Sequence, residues 1–190
     1  MFREFNPPMG NATSPLPVMP ILVAFSRHGD ALEWGRAQAE TAWGSIAVAS
    51  PRLDFAETDY YQASMGTELL VELWGFDRLM PCEELVDRKL QTNDWETAYA
   101  KLGKHPEARP LNLDPGYLMR GKFVLASTKD HSHRLYLGRG IFGEVTLGFQ
   151  GGKWIERDWT YRNYRRPDYH QFLTACRERL NQRLREEPRA

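Results

Sequence analysis

Between Asn112 and Leu147 short apolar runs alternate with tight polar turns, and this pattern constrains the chain more than any other feature. Leu111 to Met119, Phe123 to Ser127, Arg134 to Leu137 and Ile141 to Phe149 each have strand length. Gly138 and Gly140 bracket Arg139 between the last two runs, which is a hairpin signal. Gly151-Gly152 then turns the chain back toward Trp154. Strands joined by such short turns pair with their neighbours, so this half of the chain reads as an antiparallel sheet.

The first half mixes strands with helices. Ile21 to Phe25 is a continuous apolar run, as in a buried strand. Asp30 with Glu33 predicts a capping box opening a helix that carries Leu32, Ala39, Ala42 and Trp43 on one face and stops at Gly44. Ser45 to Ala49 and Thr67 to Phe76 read as strands, and Phe55 to Gly66 as a strand-like aromatic segment. Pro81 to Glu84 predicts a helical turn, and Lys89 to Gln91 an extended piece. Asn93 with Glu96 predicts a second capping box, opening a helix that ends near Gly103. Asp168 predicts the start of a final helix with Tyr169, Phe172, Leu173, Cys176, Leu180 and Leu184 on its apolar face. The order strand–helix–strand–strand–helix–strand predicts an α/β protein of the α+β kind. Its core would be a ferredoxin-like split βαβ unit, with an extended, mostly antiparallel sheet and a C-terminal helix.

Composition sets the outer limits. With 190 residues and 42% hydrophobic residues, one domain with a sizeable core is expected. The five prolines in residues 1–20 mark an irregular tail, and residues 21–190 the domain. Lys+Arg and Asp+Glu both number 25, so the basic excess of a nucleic-acid protein is missing and nucleic acid is not an expected partner. Ile21 to Phe25 is too short to span a membrane, so no membrane partner is expected. Cys82 and Cys176 are isolated thiols, which fits the cytoplasm.

The candidate chemistry lies in the same glycine-punctuated half. No Gly-x-x-x-x-Gly-Lys-Ser/Thr loop is present, so P-loop GTPase activity is not expected. Asp114-Pro-Gly-Tyr117 reads as a turn that could present Asp114 and Tyr117 to a cleft. Lys129, His133 and Arg134 could take up an anionic group, Arg134 in a two-pronged fashion; a local ion-pair network is the plainer reading. Glu144 sits in a strand, where an inward carboxylate would need a partner. Asp59 and Tyr61 could add a carboxylate and a phenol to the cleft. His131 and His133, two apart on a strand, could share one side with Asp114 and hold a divalent metal as cofactor. Tyr161, Arg162, Tyr164, Arg165 and Arg166 alternate aromatic and basic groups, the best nucleic-acid-like feature of the chain.

Several separate motifs also occur in a familiar order. They are Thr58-Asp-Tyr-Tyr61, Lys89 with Thr92-Asn93, Asn112-Leu-Asp-Pro-Gly-Tyr-Leu118, Ser127-Thr-Lys-Asp130, His133-Arg-Leu-Tyr136, Gly140-Ile141, Glu144-Val-Thr-Leu147 and Trp159-Thr-Tyr161. From about Ile21 to the last helix the chain resembles the DUF4416 family of uncharacterised bacterial and archaeal proteins. The resemblance implies no established activity. Members are sometimes labelled GTP-binding, although no nucleotide motif stands here. The expected function is binding of a small anionic ligand, a nucleotide or a phosphorylated metabolite, in a polar cleft. Two alternatives remain: a protein- or RNA-interaction module using residues 159–166, and a metal-dependent hydrolase or transferase.

Overall fold

The structure, a computed structural model, describes residues 12–55 and 62–186. In chain order the elements are β1 (Met19–Ser26), α1 (Gly29–Trp43), β2 (Ile46–Ala49), β3 (Leu53–Phe55), α2 (Gln62–Met65), β4 (Leu69–Phe76), α3 (Leu85–Lys101), β5 (Asn112–Met119), β6 (Lys122–Ser127), β7 (Leu135–Gly138), β8 (Ile141–Gln150), β9 (Lys153–Glu156) and α4 (Pro167–Glu186). Among the described residues nine strands form one sheet, seven of them in the order β2-β4-β1-β5-β6-β8-β7, with β3 paired to β4, β9 to β8 and every pairing antiparallel. Asp59 and Tyr61 lie outside the described residues.

Central position explains why β1 is apolar from Met19 to Phe25. Its side chains alternate between two covered faces, and all eight residues are buried. Leu22 and Ala24 pack under α1 and α3 with Trp43, Trp74 and Tyr99. Ile21, Val23 and Phe25 face the other way and meet Tyr169, Phe172, Leu173 and Cys176 of α4. The molecule is therefore three layers, with two long helices on one face of the sheet and one on the other.

Both edges of the sheet are broken into two short pieces. β2 and β3 lie on the same outer side of β4, and Ser50 between them bonds Leu73 through its backbone N–H and its hydroxyl, each at 2.9 Å. At the other edge β7 and β9 both lie outside β8. In the gap between those two strands, Trp159 Nε1 donates to the Val145 carbonyl at 3.0 Å and Thr160 Oγ1 to that of Thr146 at 2.6 Å. Side chains there do the work of a missing strand, and they fix where the 159–166 loop sits.

Several expectations about local structure are corrected. His28 precedes α1 and gives no side-chain cap, while the Asp30 carboxylate instead accepts the Tyr99 hydroxyl at 3.1 Å. Lys89 to Gln91 are not extended, and Asn93 opens nothing; all lie inside α3. Glu96 serves a tertiary contact rather than a cap. Gln62–Met65 is a helical turn within the segment expected to be strand-like. α4 begins at Pro167, a favoured first helical residue, and Asp168 pairs with Arg166 inside the first turn. Asp114-Pro-Gly is not a turn either, because β5 runs straight through it.

That last correction exposes what positions the site. β5 pairs with β1 along Asn112 to Leu118, but with β6 only from Gly116 onward. β6 meanwhile stays with β8 as far as Ser127. The two strands part at Gly116↔Leu125, and the sheet forks. The backbone shows why. Leu113 turns its N–H and C=O toward the place β6 has left, and α3 fills it: Glu96 Oε1 accepts the N–H at 2.7 Å and Lys89 Nζ donates to the carbonyl at 3.1 Å. Two residues on, Pro115 presents its backbone to the same side and has no N–H to donate. On β5 no orphan donor is left where the ladder stops, which is what this strand requires at the parting.

Candidate functional site

A cleft of about 370 Å³ occupies the fork. In an antiparallel sheet, residues directly opposite one another point to the same face. Asp114, Leu125, Ser127 and Glu144 therefore share a face with Phe25, the face covered by α4 further along. Lys89 and Asn93 come from α3 on the opposite face and enter through the gap between β5 and β6. Arg134, Tyr161, Asn163 and Tyr164 close the far wall.

On the α3 side, Lys89 is almost fully buried, with its side chain 5% exposed, and its ammonium bonds Asp114 Oδ1 at 3.1 Å. Asn112 Nδ2 donates to Asp114 Oδ2 at 2.8 Å. Burial alone would raise the Asp114 carboxyl, but the Lys89 charge and the hydrogen bonds from Asn112 and Lys89 hold it below the usual carboxylate range. Behind this pair, Arg109 Nε and Nη2 both donate to Glu96 Oε2, at 3.0 and 2.7 Å. Burial pushes the Glu96 carboxyl up, and Asp114 adds to the rise against the pull of Lys89 and Arg109.

Asp114 carries a pH prediction. A carboxylate with a depressed folded-state pKa adds stability that is complete above the ordinary value of about 3.9 and lost as pH falls through the depressed value. Asp114→Asn should therefore melt with a flatter acid limb below about pH 4 than the parent. Melting curves across that range check it, and an unchanged acid limb would remove Asp114 from the linkage.

On the β8 side, Glu144 is 2% exposed and has three side-chain partners. Arg134 Nε donates to Glu144 Oε2 at 2.9 Å, His133 Nε2 lies 3.1 Å from the same oxygen, and Thr146 Oγ1 donates to Oε1 at 3.1 Å. Three more of the five Arg134 N–H groups are used as well. Nη1 reaches Ser127 Oγ at 2.8 Å and the Lys129 carbonyl at 3.0 Å, and Nη2 reaches the Tyr161 hydroxyl at 3.0 Å. A buried carboxylate with a buried guanidinium is what an inward Glu in a strand demands.

The structure thus brings Asp114, Lys129, Arg134 and Glu144 to one cleft, with His131 at its lining and His133 one hydrogen bond away. It does not bring Tyr117. Three residues separate Tyr117 from Asp114, so along a strand the two face opposite ways, and Tyr117 packs with Leu85 and Val124 under α3. The His131 and His133 rings lie parallel at 5.7 Å, and His133 stacks on Trp159 at 5.3 Å. Among the described residues no three His, Cys, Asp or Glu side chains are grouped as a metal centre would need.

Sequence reasoning named Lys89 and Asn112 only within motifs and passed over Glu96 and Arg109 as site groups. One signal could have found the α3 contribution. Leu85, Lys89, Thr92, Glu96 and Tyr99 recur every three or four residues, so a lysine and a glutamate stand in the buried stripe of a helix.

Comparison with known proteins adds the family alone. No curated protein and no solved structure matches the chain. The family model for a domain of unknown function, DUF4416, matches residues 17–180, and the chain belongs to that family.

Proposed function

We propose that the cleft binds a small anionic ligand of the nucleotide or phosphorylated-metabolite class. One observation carries this reading. Among the described residues, in a chain of zero formal net charge, four permanent cations (Lys89, Arg109, Lys129 and Arg134) line the cleft together with two carboxylates, Asp114 and Glu144. A third carboxylate, Glu96, stands behind Arg109. Ser127, Thr128 and Tyr161 bring hydroxyls, and Asn93, Asn112 and Asn163 bring carboxamides, to the same lining. The volume falls in the ordinary range for small-molecule sites, roughly 300–1,000 Å³.

The rival reading, a protein- or RNA-docking surface on the 159–166 loop, is supported by the exposure of Trp159, Tyr161 and Arg162. Against it, Arg165 is turned onto the Thr160, Arg157 and Asp158 carbonyls, and Tyr164 is buried. The proposed core of the domain is a ferredoxin-like unit of β1, α1, β2, β4, α3 and β5, supported by the antiparallel order β2-β4-β1-β5. Residence in the cytoplasm is proposed from Cys82 and Cys176, both free thiols.

A thermal-shift panel of nucleotides, phosphorylated metabolites and inorganic phosphate at low ionic strength tests the ligand reading. A ligand at 100 times its Kd should add about 2.7 kcal/mol, roughly 5–10 °C in a chain of this size. Lys129→Gln should shrink that shift. A panel in which no anion moves the melting point would overturn the proposal.

A further inference from the structure

The polar groups of the cleft fall into two separate poles. One is the Lys89–Asp114 pair on the β5 wall, with Asn93 beside it. The other is the Arg134–Glu144 pair on the β8 wall, with Lys129 beside it. β6 lies between them and contributes the apolar Leu125 and Ala126 to the floor. Strand spacing sets the separation. Glu144 is in register, through Leu125, with Gly116, and Asp114 stands two residues beyond Gly116. Two inter-strand steps across and two residues along place the Asp114 and Glu144 Cα atoms about 12 Å apart, before any widening by the fork.

Counted among the described residues, each pole also keeps one charged donor in reserve. An ammonium has three N–H groups, and Lys89 uses two, on the Leu113 carbonyl and Asp114. A guanidinium has five, and Arg134 uses four, on Glu144, Ser127, Lys129 and Tyr161. A single compact anion can meet one pole and leaves the other solvated. A ligand with an anionic group at each end meets both.

Resting on the anion-binding reading above, we propose that the natural ligand is an organic bis-anion: two anionic groups held apart by a short neutral, hydroxyl-bearing spacer, the class of the sugar bisphosphates. Asp114 and Glu144, whose oxygens can accept from hydroxyls, suit the spacer. The cations and their spare donors suit the ends. Joining two anionic groups makes the second contact intramolecular, so the joined ligand gains over either end alone without any new kind of contact.

Calorimetric titration of the full chain with four probes at matched ionic strength decides it: a hexose bisphosphate, the matching hexose monophosphates, inorganic pyrophosphate and inorganic phosphate. The bisphosphate should bind at least about tenfold tighter than either monophosphate, and tighter than pyrophosphate, which concentrates its charge in a span too short for both poles. Asn93→Ala and Lys129→Gln, at opposite poles, should each bring the bisphosphate down toward the monophosphate affinity while changing monophosphate binding by less. Equal binding of monophosphate and bisphosphate, or pyrophosphate in first place, overturns the two-pole inference and leaves the anion-binding reading standing. No binding by any of the four overturns the inference too, and the wider nucleotide and metabolite panel then decides the underlying reading separately.

Discussion

Replacing Arg134 with methionine is expected to destabilise the protein by about 3–5 kcal/mol, the cost of stranding one half of a buried ion pair. Arg134 and Glu144 have side chains only 4% and 2% exposed. Without the guanidinium, Glu144 keeps the Thr146 hydroxyl and the His133 ring but has lost its permanent counter-charge. Ser127, the Lys129 carbonyl and Tyr161 lose their shared donor at the same time. Urea unfolding of Arg134→Met, Glu144→Leu and the double variant separates the terms. Each single variant should fall far below the parent, and the double should recover much of the loss, because removing both charges leaves neither unpaired. A single-variant loss under about 1 kcal/mol would mean that the pair contributes no more than an exposed salt bridge.

Gly116→Ala is expected to cost at least about 3 kcal/mol, the upper end of what overpacking usually takes. A Cβ at Gly116 would sit 2.4 Å from the Val124 backbone carbonyl oxygen, with Leu125 and Phe123 side-chain carbons at 3.1 Å. The obstacle is backbone of the adjacent strand, so no rotamer change relieves it. Gly116 is also the last β5 residue paired to β6 before the fork, so a shift there moves both walls of the cleft. Loss of stability and loss of ligand binding should appear together in this variant. Full stability with an intact cleft would show that the strands can approach less closely than the structure has them.

The strands were legible because burial on two faces leaves a continuous apolar run, as in Ile21 to Phe25. The antiparallel half was legible because Gly138, Gly140 and Gly151-Gly152 mark its turns. Asp114, Lys129, Arg134 and Glu144 were legible as a cluster because ionisable groups between core residues must find one another. What hid the rest was local ambiguity. Asn93 with Glu96 has the spacing of a capping box, yet α3 runs through it and Glu96 is spent on Leu113 and Arg109. Lys89 and Thr92 occupy buried positions that an amphipathic pattern reserves for apolar residues, so hydrophobic periodicity fails along α3. Asp-Pro-Gly is a turn signal in isolation. Here the proline serves a straight strand by lacking a donor and the glycine by lacking a Cβ, and both needs arise only from a neighbouring strand that the local sequence does not mention.

A pocket cut into a single packed surface changes as a whole when one side chain changes. The opening between β5 and β6 is different, because its two banks have different strand partners, β1 on one side and β8 on the other, while α3 packs beneath both. Below the opening the strands themselves meet in the four residue pairs from Gly116↔Leu125 to Met119↔Lys122. Substitutions on one bank therefore reach the other through that short seam and through α3, which packs against both strands. Either bank can therefore change the side chains it turns to the opening while its own strand partner holds the backbone in place.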